Sequence, residues 1–367
     1  MAKLRVRISL RLALAGAGVA GLGLACAQDL RGQLLPKASK PEVQQRLRLT
    51  RTQTITSRTE TATSFLPPLQ CDSAGNLYYQ IEPHERIVHE LNPKAEPLVL
   101  LRASSSTDIK VAFAGFFAID QNDAVHQLIF PQERSTYVFT YHADGTVKSE
   151  TKLNTGFYFE PHAIPAFPSG HWLIAGEEYD QNTAAAMWPV TGIFAADGKL
   201  LKEIKLEDDE SLHDMAASGD ARVSQPGAPQ TNKAVDFTQV EVASDGEAYL
   251  MRWTSPAIFY AISPGGEVVR RFTVDPGDSN FLPVTMHIFQ NRIAVLFINT
   301  QTHDKLMKIV DLDGNKVAVY DQPKSDRNHP DDSLGGAFAC YRENPTRFTF
   351  LGASEDNHLQ LRIGEPR

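Results

Sequence analysis

Short apolar runs alternate with tight polar turns along this chain, and the pairing recurs. "STYVFTY" and "TVKSETKL" flank Asp144-Gly145, and similar pinches separate "VTGIFAA" from "KLLKEIKL", "AIFYAIS" from "EVVRRFTV" and "KIVDL" from "NKVAVY". Such glycine-containing steps tolerate the positive φ angles of two-residue hairpins, so each pinch predicts a β-hairpin. "RIVHELNPKAEPLVLL" is a fifth, looser copy. A second series of turns lies about twenty residues ahead of these: "CDSAGNLYYQI", "AIDQNDAVHQLIF", "AFPSGHWLIAG", "VASDGEAYLMRW", "HIFQNRIAVLFI" and "CYRENPTRFTFLG". The strand after each of those turns is apolar at nearly every position, as over residues 293–298, which suits a strand covered on both faces.

Two hairpins make a unit of four strands, and six units fit: 66–103, 113–153, 160–206, 236–274, 284–323 and 335–367. A four-strand unit repeated at this interval predicts an all-β fold, a six-bladed β-propeller with four-stranded antiparallel blades. The sixth unit, ending in "HLQLRIGEPR", is one strand short. The segment "RLTRTQTITS" (48–57), rich in β-branched residues, is predicted to complete it and so join the two ends of the chain, giving a propeller domain over 48–367. Cys71 and Cys340 then fall at corresponding places in the neighbouring first and sixth units. A disulfide there would staple the seam if the Cα atoms came within about 7 Å; two buried thiols are the alternative.

The first residues read differently. Lys3, Arg5, Arg7 and Arg11 precede an apolar stretch over 12–25, and Ala25-Cys26-Ala27 fits a cleavage site before Gln28. This predicts a signal peptide over 1–27 and an extracytoplasmic protein, secreted or periplasmic. "GLAC" offers the alternative of a lipoprotein signal ending before Cys26, with Gly23 where a bulkier residue is usual, and membrane attachment follows only if Cys26 is lipidated. Residues 28–47 form a basic linker in which Ser39-Lys40-Pro41-Glu42 resembles a capping box opening a short helix toward Leu47.

Charge sharpens the choice of partner. Residues 1–51 carry a net +8, so with a whole-chain charge of −8 the remainder carries −16. An acidic body lacks the basic face that nucleic acid requires. There is no CxxC pair, G-x-S-x-G elbow, H-E-x-x-H, phosphate-binding glycine loop or dinucleotide fingerprint.

The run "D-x-x-G-N-L-Y" at 72–78, followed by "I-x-x-L" and then an Asp-Gly-type turn, resembles the six-bladed propellers of the NHL, TolB-like and SMP-30/gluconolactonase groups over nearly the whole mature chain. That resemblance implies architecture more than activity, since the fold hosts lyases, lactonases and binding modules. The SMP-30-like lactonases place Glu, Asn and Asp around a calcium or zinc ion at the channel mouth. Here "SFLPPLQC" has no Glu at the strand start, and Glu160 with Asp236 would be a rearranged metal pair. Propeller lyases use His as a base, a role open to His162 or His287.

Strand alternation puts every repeated turn on one face and the variable connections on the other. Two long connections, 178–191 with Met187 and Trp188, and 207–236, acidic at first and then rich in Gly, Pro, Ser and Gln, fall on that second face. The starts of the innermost strands predict a channel mouth there lined by Phe116, Glu160, His162, Asp236, Thr238, Thr285 and His287, with Trp188 at the rim. The expected function is a binding or interaction module, a monomer without a cofactor, meeting a small molecule, glycan or protein through this loop-side face. The alternatives are a hydrolase or lyase built on Glu160, His162, Asp236 and His287, with a divalent cation in the channel, and a tethered envelope lipoprotein.

Overall fold

A computed structural model describes residues 47–61, 65–81, 85–104, 109–132, 135–179, 186–206, 239–322 and 334–367, the side chains of Pro67, Tyr179 and 186–188 excepted. The leader, Cys26, the basic linker with its capping box, the 207–236 connection, Asp236 and Thr238 lie outside the described residues. All described regular structure is β-strand.

Strand β1 (Leu47–Thr61) comes first in the chain but lies inside a sheet built from the chain's last strands. Four separate antiparallel sheets follow in chain order. They are β2 (Leu66–Cys71), β3 (Leu77–Gln80), β4 (Ile87–Leu91) and β5 (Pro97–Arg102); β6 (Val111–Ile119), β7 (Val125–Pro131), β8 (Tyr137–Tyr141) and β9 (Val147–Lys152); β10 (Phe159–Ala163), β11 (Trp172–Tyr179), β12 (Ala186–Phe194) and β13 (Leu200–Ile204); and β14 (Gln239–Val242), β15 (Ala248–Arg252), β16 (Ala257–Ile262) and β17 (Val268–Val274). The remaining strands are β18 (Phe281–Phe289), β19 (Arg292–Asn299), β20 (Lys305–Asp311), β21 (Lys316–Asp321), β22 (Ala337–Arg342), β23 (Arg347–Ala353) and β24 (His358–Pro366). With β1 they form a single eight-stranded sheet in the order β18-β19-β20-β21-β1-β24-β23-β22.

This corrects the expectation of six separate blades. The N-terminal strand pairs antiparallel with β24, from Leu49 opposite Pro366 to Thr61 opposite His358. Its first residues also run parallel to β21, Leu47 opposite Tyr320 and Arg48 opposite Asp321, and those two pairs fuse what the repeat presents as two units. An outermost strand exposes unpaired backbone groups, and an extended neighbour satisfies them.

The arrangement is propeller-like. The first strand of each unit neighbours the next, β2 beside β6, β10, β14, β18 and β22 in turn, and β22 returns to β2. Second and third strands are almost wholly buried; every residue of β3, β4 and β15 is. Outer strands such as β5, β9 and β13 are largely exposed. The core lies between sheets: Leu128 of β7 packs with Ile174 of β11, and Leu250 of β15 with Ile193 of β12.

The repeated turns differ from two-residue hairpins. A type I′ turn needs positive φ at both central residues, but in the Asp144-Gly145 turn only Gly145 has it, at 84°. His142 N–H donates to the Thr146 carbonyl at 2.8 Å and Gly145 N–H to the His142 carbonyl at 2.9 Å, the pattern of a type I turn closed by a glycine bulge. Asp144 Oδ1 accepts the Thr146 N–H at 3.0 Å. The turn glycines between third and fourth strands also touch the preceding unit. A Cβ on Gly145 would meet Val99 of β5, one on Gly198 the Lys152 carbonyl of β9, and one on Gly314 the Phe272 ring of β17. The repeat therefore marks where one unit docks on the one before it.

Candidate functional site: the turn-side mouth of the central channel

The turns between first and second strands ring a cavity of about 400 Å³. Ser73, Gln121, Asp123, Ser244, Gln290 and Arg342 form its rim, and the ends of the first strands form its wall. The cavity thus opens on the turn side, the face opposite the one where the sequence places the ligand site.

Its wall follows from a register. In each unit the residue two positions before the turn-opening residue reaches the channel: Gln70, Ala118, Pro165, Glu241, His287 and Cys340 all line the cavity. A first strand has no sheet partner on its inner edge, so its backbone groups need side chains from neighbours. Gln70 Oε1 accepts the N–H of Ile119 in the next sheet at 2.8 Å. Gln239 Oε1 and Glu241 Oε2 accept the N–H groups of Met286 (2.8 Å) and Ile288 (2.7 Å). His287, 5% exposed, sets Nδ1 3.1 Å from Glu241 Oε1 and Nε2 3.4 Å from the Phe338 carbonyl. Cys71 and Cys340 are joined as a disulfide between β2 and β22, their Cα atoms 5.8 Å apart. Gln121 Nε2 donates to the Ala243 carbonyl at 2.6 Å, linking the second unit to the fourth past Pro165, which has no N–H to offer.

Charge is concentrated on one side of the mouth. Asp123 accepts the Ser73 N–H and hydroxyl at 2.8 and 2.5 Å. Arg342 donates to the Ser73 carbonyl at 2.9 Å and to the Asp72 carbonyl, and its guanidinium lies 4.9 Å from the centre of the Phe289 ring. Burial lowers the Arg342 pKa while Asp72 and Asp123 oppose the shift. Burial raises Asp120, but hydrogen bonds from His126 and from the backbone of Ala124 and Asn122 outweigh it and hold this carboxyl below its ordinary value. A second cavity of about 400 Å³ adjoins, sharing Asp72 and Asp123 and adding Glu90 and Lys148.

Of the described residues expected at the channel, only His287 lines this cavity. Phe116 and His162 meet each other edge-on, ring centres 5.8 Å apart, between β6 and β10. Burial lowers the His162 pKa to about 4. Glu160 sits opposite Glu177 in register, and Thr285 donates to Gln239 Oε1 at 3.0 Å. The strands begin earlier than their apolar cores suggest, at Val111 and Phe281, so Phe116, Thr285 and His287 are not at strand starts. Trp188 stands within β12 opposite Glu178, not in a loop. Among the described residues no group of three or more His, Cys, Asp and Glu is placed to hold a metal ion, and Asp236 of the expected metal pair lies outside them. The residues that sequence reasoning missed, Gln70 and Glu241 above all, carried one signal: a polar letter two positions before the turn.

No family model matches this chain, those of the NHL, TolB-like and SMP-30 groups included, and no curated protein matches it. No described helix is long and apolar enough to cross a membrane. Among solved structures, a protein of unknown function from Bacteroides caccae is 12% identical at a TM-score of 0.43, covering 69% of this chain and 80% of that one. A candidate exported protein of Bacteroides fragilis is 9% identical at a TM-score of 0.51 over 86% of this chain and 94% of its own, and this chain shares its fold.

Proposed function

We propose that the protein is an exported, monomeric six-bladed β-propeller that works as a ligand-binding module through the turn-side mouth of its channel. Two features support six blades: each half of the eight-stranded sheet repeats the four-strand order of the separate sheets, and the halves join through only two parallel residue pairs. Export rests on the leader pattern, and the fold shared with the Bacteroides fragilis protein agrees with it. The Cys71–Cys340 bond then belongs to the mature protein, since exported proteins keep their disulfides.

The observation that carries the binding reading is the cavity itself. Six first strands converge on it, and its size falls in the range of small-ligand sites. Its wall groups are held by neighbouring units and so are positioned before any ligand arrives, which lowers the ordering cost of binding. The ligand is a small molecule, a glycan or a protein segment; no cofactor is needed.

A mouth-blocking variant tests this. Ser244 is exposed on the rim, where its hydroxyl donates to the Gln290 carbonyl at 2.9 Å. Ligands found by native mass spectrometry or thermal shift should stabilise the wild type and lose their effect on Ser244→Trp. Equal binding by both proteins would move the site to the loop-side face and overturn the assignment.

A further inference from the structure

We propose that the gap between the fifth and sixth units, at its loop-side end, binds a small oxyanion through Lys305, Arg362 and Gln322. The site is independent of the turn-side mouth. Lys305 opens the third strand of its unit, Gln322 follows the fourth and Gly336 precedes the first strand of the next unit, all at the ends away from the repeated turns.

Register puts the three side chains in one gap. Met307 of β20 and Tyr320 of β21 pack with Phe338 and Phe350 of the sixth unit, and residues two apart in a strand share a face, so Lys305 and Gln322 point toward that unit. They also stand opposite each other, the Gln322 N–H donating to the Lys305 carbonyl at 3.3 Å. Arg362 of β24 pairs with Phe350 and so meets them from the other side. Two glycines bring the cations together. Lys305 Nζ donates to the Gly336 carbonyl at 3.3 Å, a Cβ on Gly336 would lie 3.1 Å from Gly352 Cα, and one on Gly352 would lie 3.1 Å from Arg362 Cζ. Neither glycine puts a side chain between the ammonium and the guanidinium.

The acceptors these cations do have are neutral. Arg362 donates to the Ala353 carbonyl at 3.0 Å and to Gln360 Oε1, and among the described residues neither it nor Lys305 has a carboxylate partner. Burial and then Arg362 lower the Lys305 pKa, and burial and then Arg51 lower that of Arg362. Gln322 supplies an independent pointer: it is 9% exposed, and its Nε2 is buried with no hydrogen-bond partner. A buried amide donor is ordinarily satisfied, and two cations held together without an anion repel each other. An oxyanion answers both, accepting charge-assisted bonds from the ammonium and guanidinium and one more from the amide. Lys305 and Arg362 are only partly buried, so both are reached from solvent.

Isothermal titration of the full chain with sodium phosphate, sulfate and acetate, in Tris chloride at fixed ionic strength, tests the site and separates a tetrahedral oxyanion from a carboxylate. At least one should bind saturably, and Lys305→Met and Arg362→Met should each weaken it by at least about tenfold. Each variant removes one of two like charges, so thermal midpoints without the anion should not fall. Ser244→Trp, at the other end of the strands, should leave this binding unchanged, and inorganic oxyanions therefore do not report on the mouth. Saturable binding of none of the three, full affinity in either methionine variant, or loss of binding in Ser244→Trp would each overturn the assignment.

Discussion

Single glycines separate two jobs that look identical in the repeat. Gly198 and Gly246 both sit at positive φ, 83° and 82°, in turns of the same type. A Cβ on Gly246 meets nothing within 4 Å, whereas one on Gly198 would lie 1.9 Å from the Lys152 carbonyl oxygen. Gly246→Ala should therefore cost about 1–2 kcal/mol from backbone conformation alone. Gly198→Ala adds a backbone clash between units and should cost at least about 2 kcal/mol more. Urea denaturation separates the two, and equal losses would show that the docking contact is unimportant. His162 makes a pH prediction. Its folded pKa, about 4, lies below the ordinary imidazole value of 6.5, so the unfolded state binds more protons between those values. Stability should be fully present above pH 6.5 and should fall as the pH drops toward 4, and His162→Phe should flatten that part of the profile. A wild-type profile that is level across this window would mean that His162 is not buried as described.

Elements are joined differently at the chain ends than elsewhere in the ring. Neighbouring first strands are linked by side chains such as Gln70, Gln239 and His287. At the seam between β22 and β2 the disulfide and Arg342 add to these links. The bond spans 269 residues of sequence, so it removes a large loop from the unfolded ensemble, and Cys71→Ser with Cys340→Ser should lose about 2–4 kcal/mol. Thermal melts with and without reductant should show the same drop in the wild type and none in the double variant. Two free thiols by mass spectrometry of the exported protein would refute the pairing. Strand β1 acts beside this bond: its Leu49 is fully buried among Tyr320, Leu334 and Phe338, so a strand from the start of the chain completes the core of its end.

At the scale of the molecule, the first strands follow one another in a closed cycle, and the cavity proposed as the binding site lies among the turns at one end of it. Much of this was legible in the sequence. The turn glycines and the apolar second strands reveal the repeat, because a positive φ and burial on two faces each restrict residue choice locally. The strand needed to complete the last unit was legible for the same reason: a run of β-branched residues at one end matches a missing strand at the other. Three features were not legible. The parallel contact of Leu47 and Arg48 with β21 depends on how two outer strands lie across each other, which no local pattern encodes. The polarity of the mouth depends on single side chains, Gln70, Glu241 and His287, which stand far apart in the chain until the ring brings them to a common wall. The place of the cavity is the third: it sits among the repeated turns, which the local pattern marks only as chain reversals. The sequence by itself determined the strands, their turns and their grouping, since these obey rules spanning a few residues. Only the tertiary structure decided which strand ends meet, and so which side chains line the cavity, because that depends on the first strands closing into a cycle.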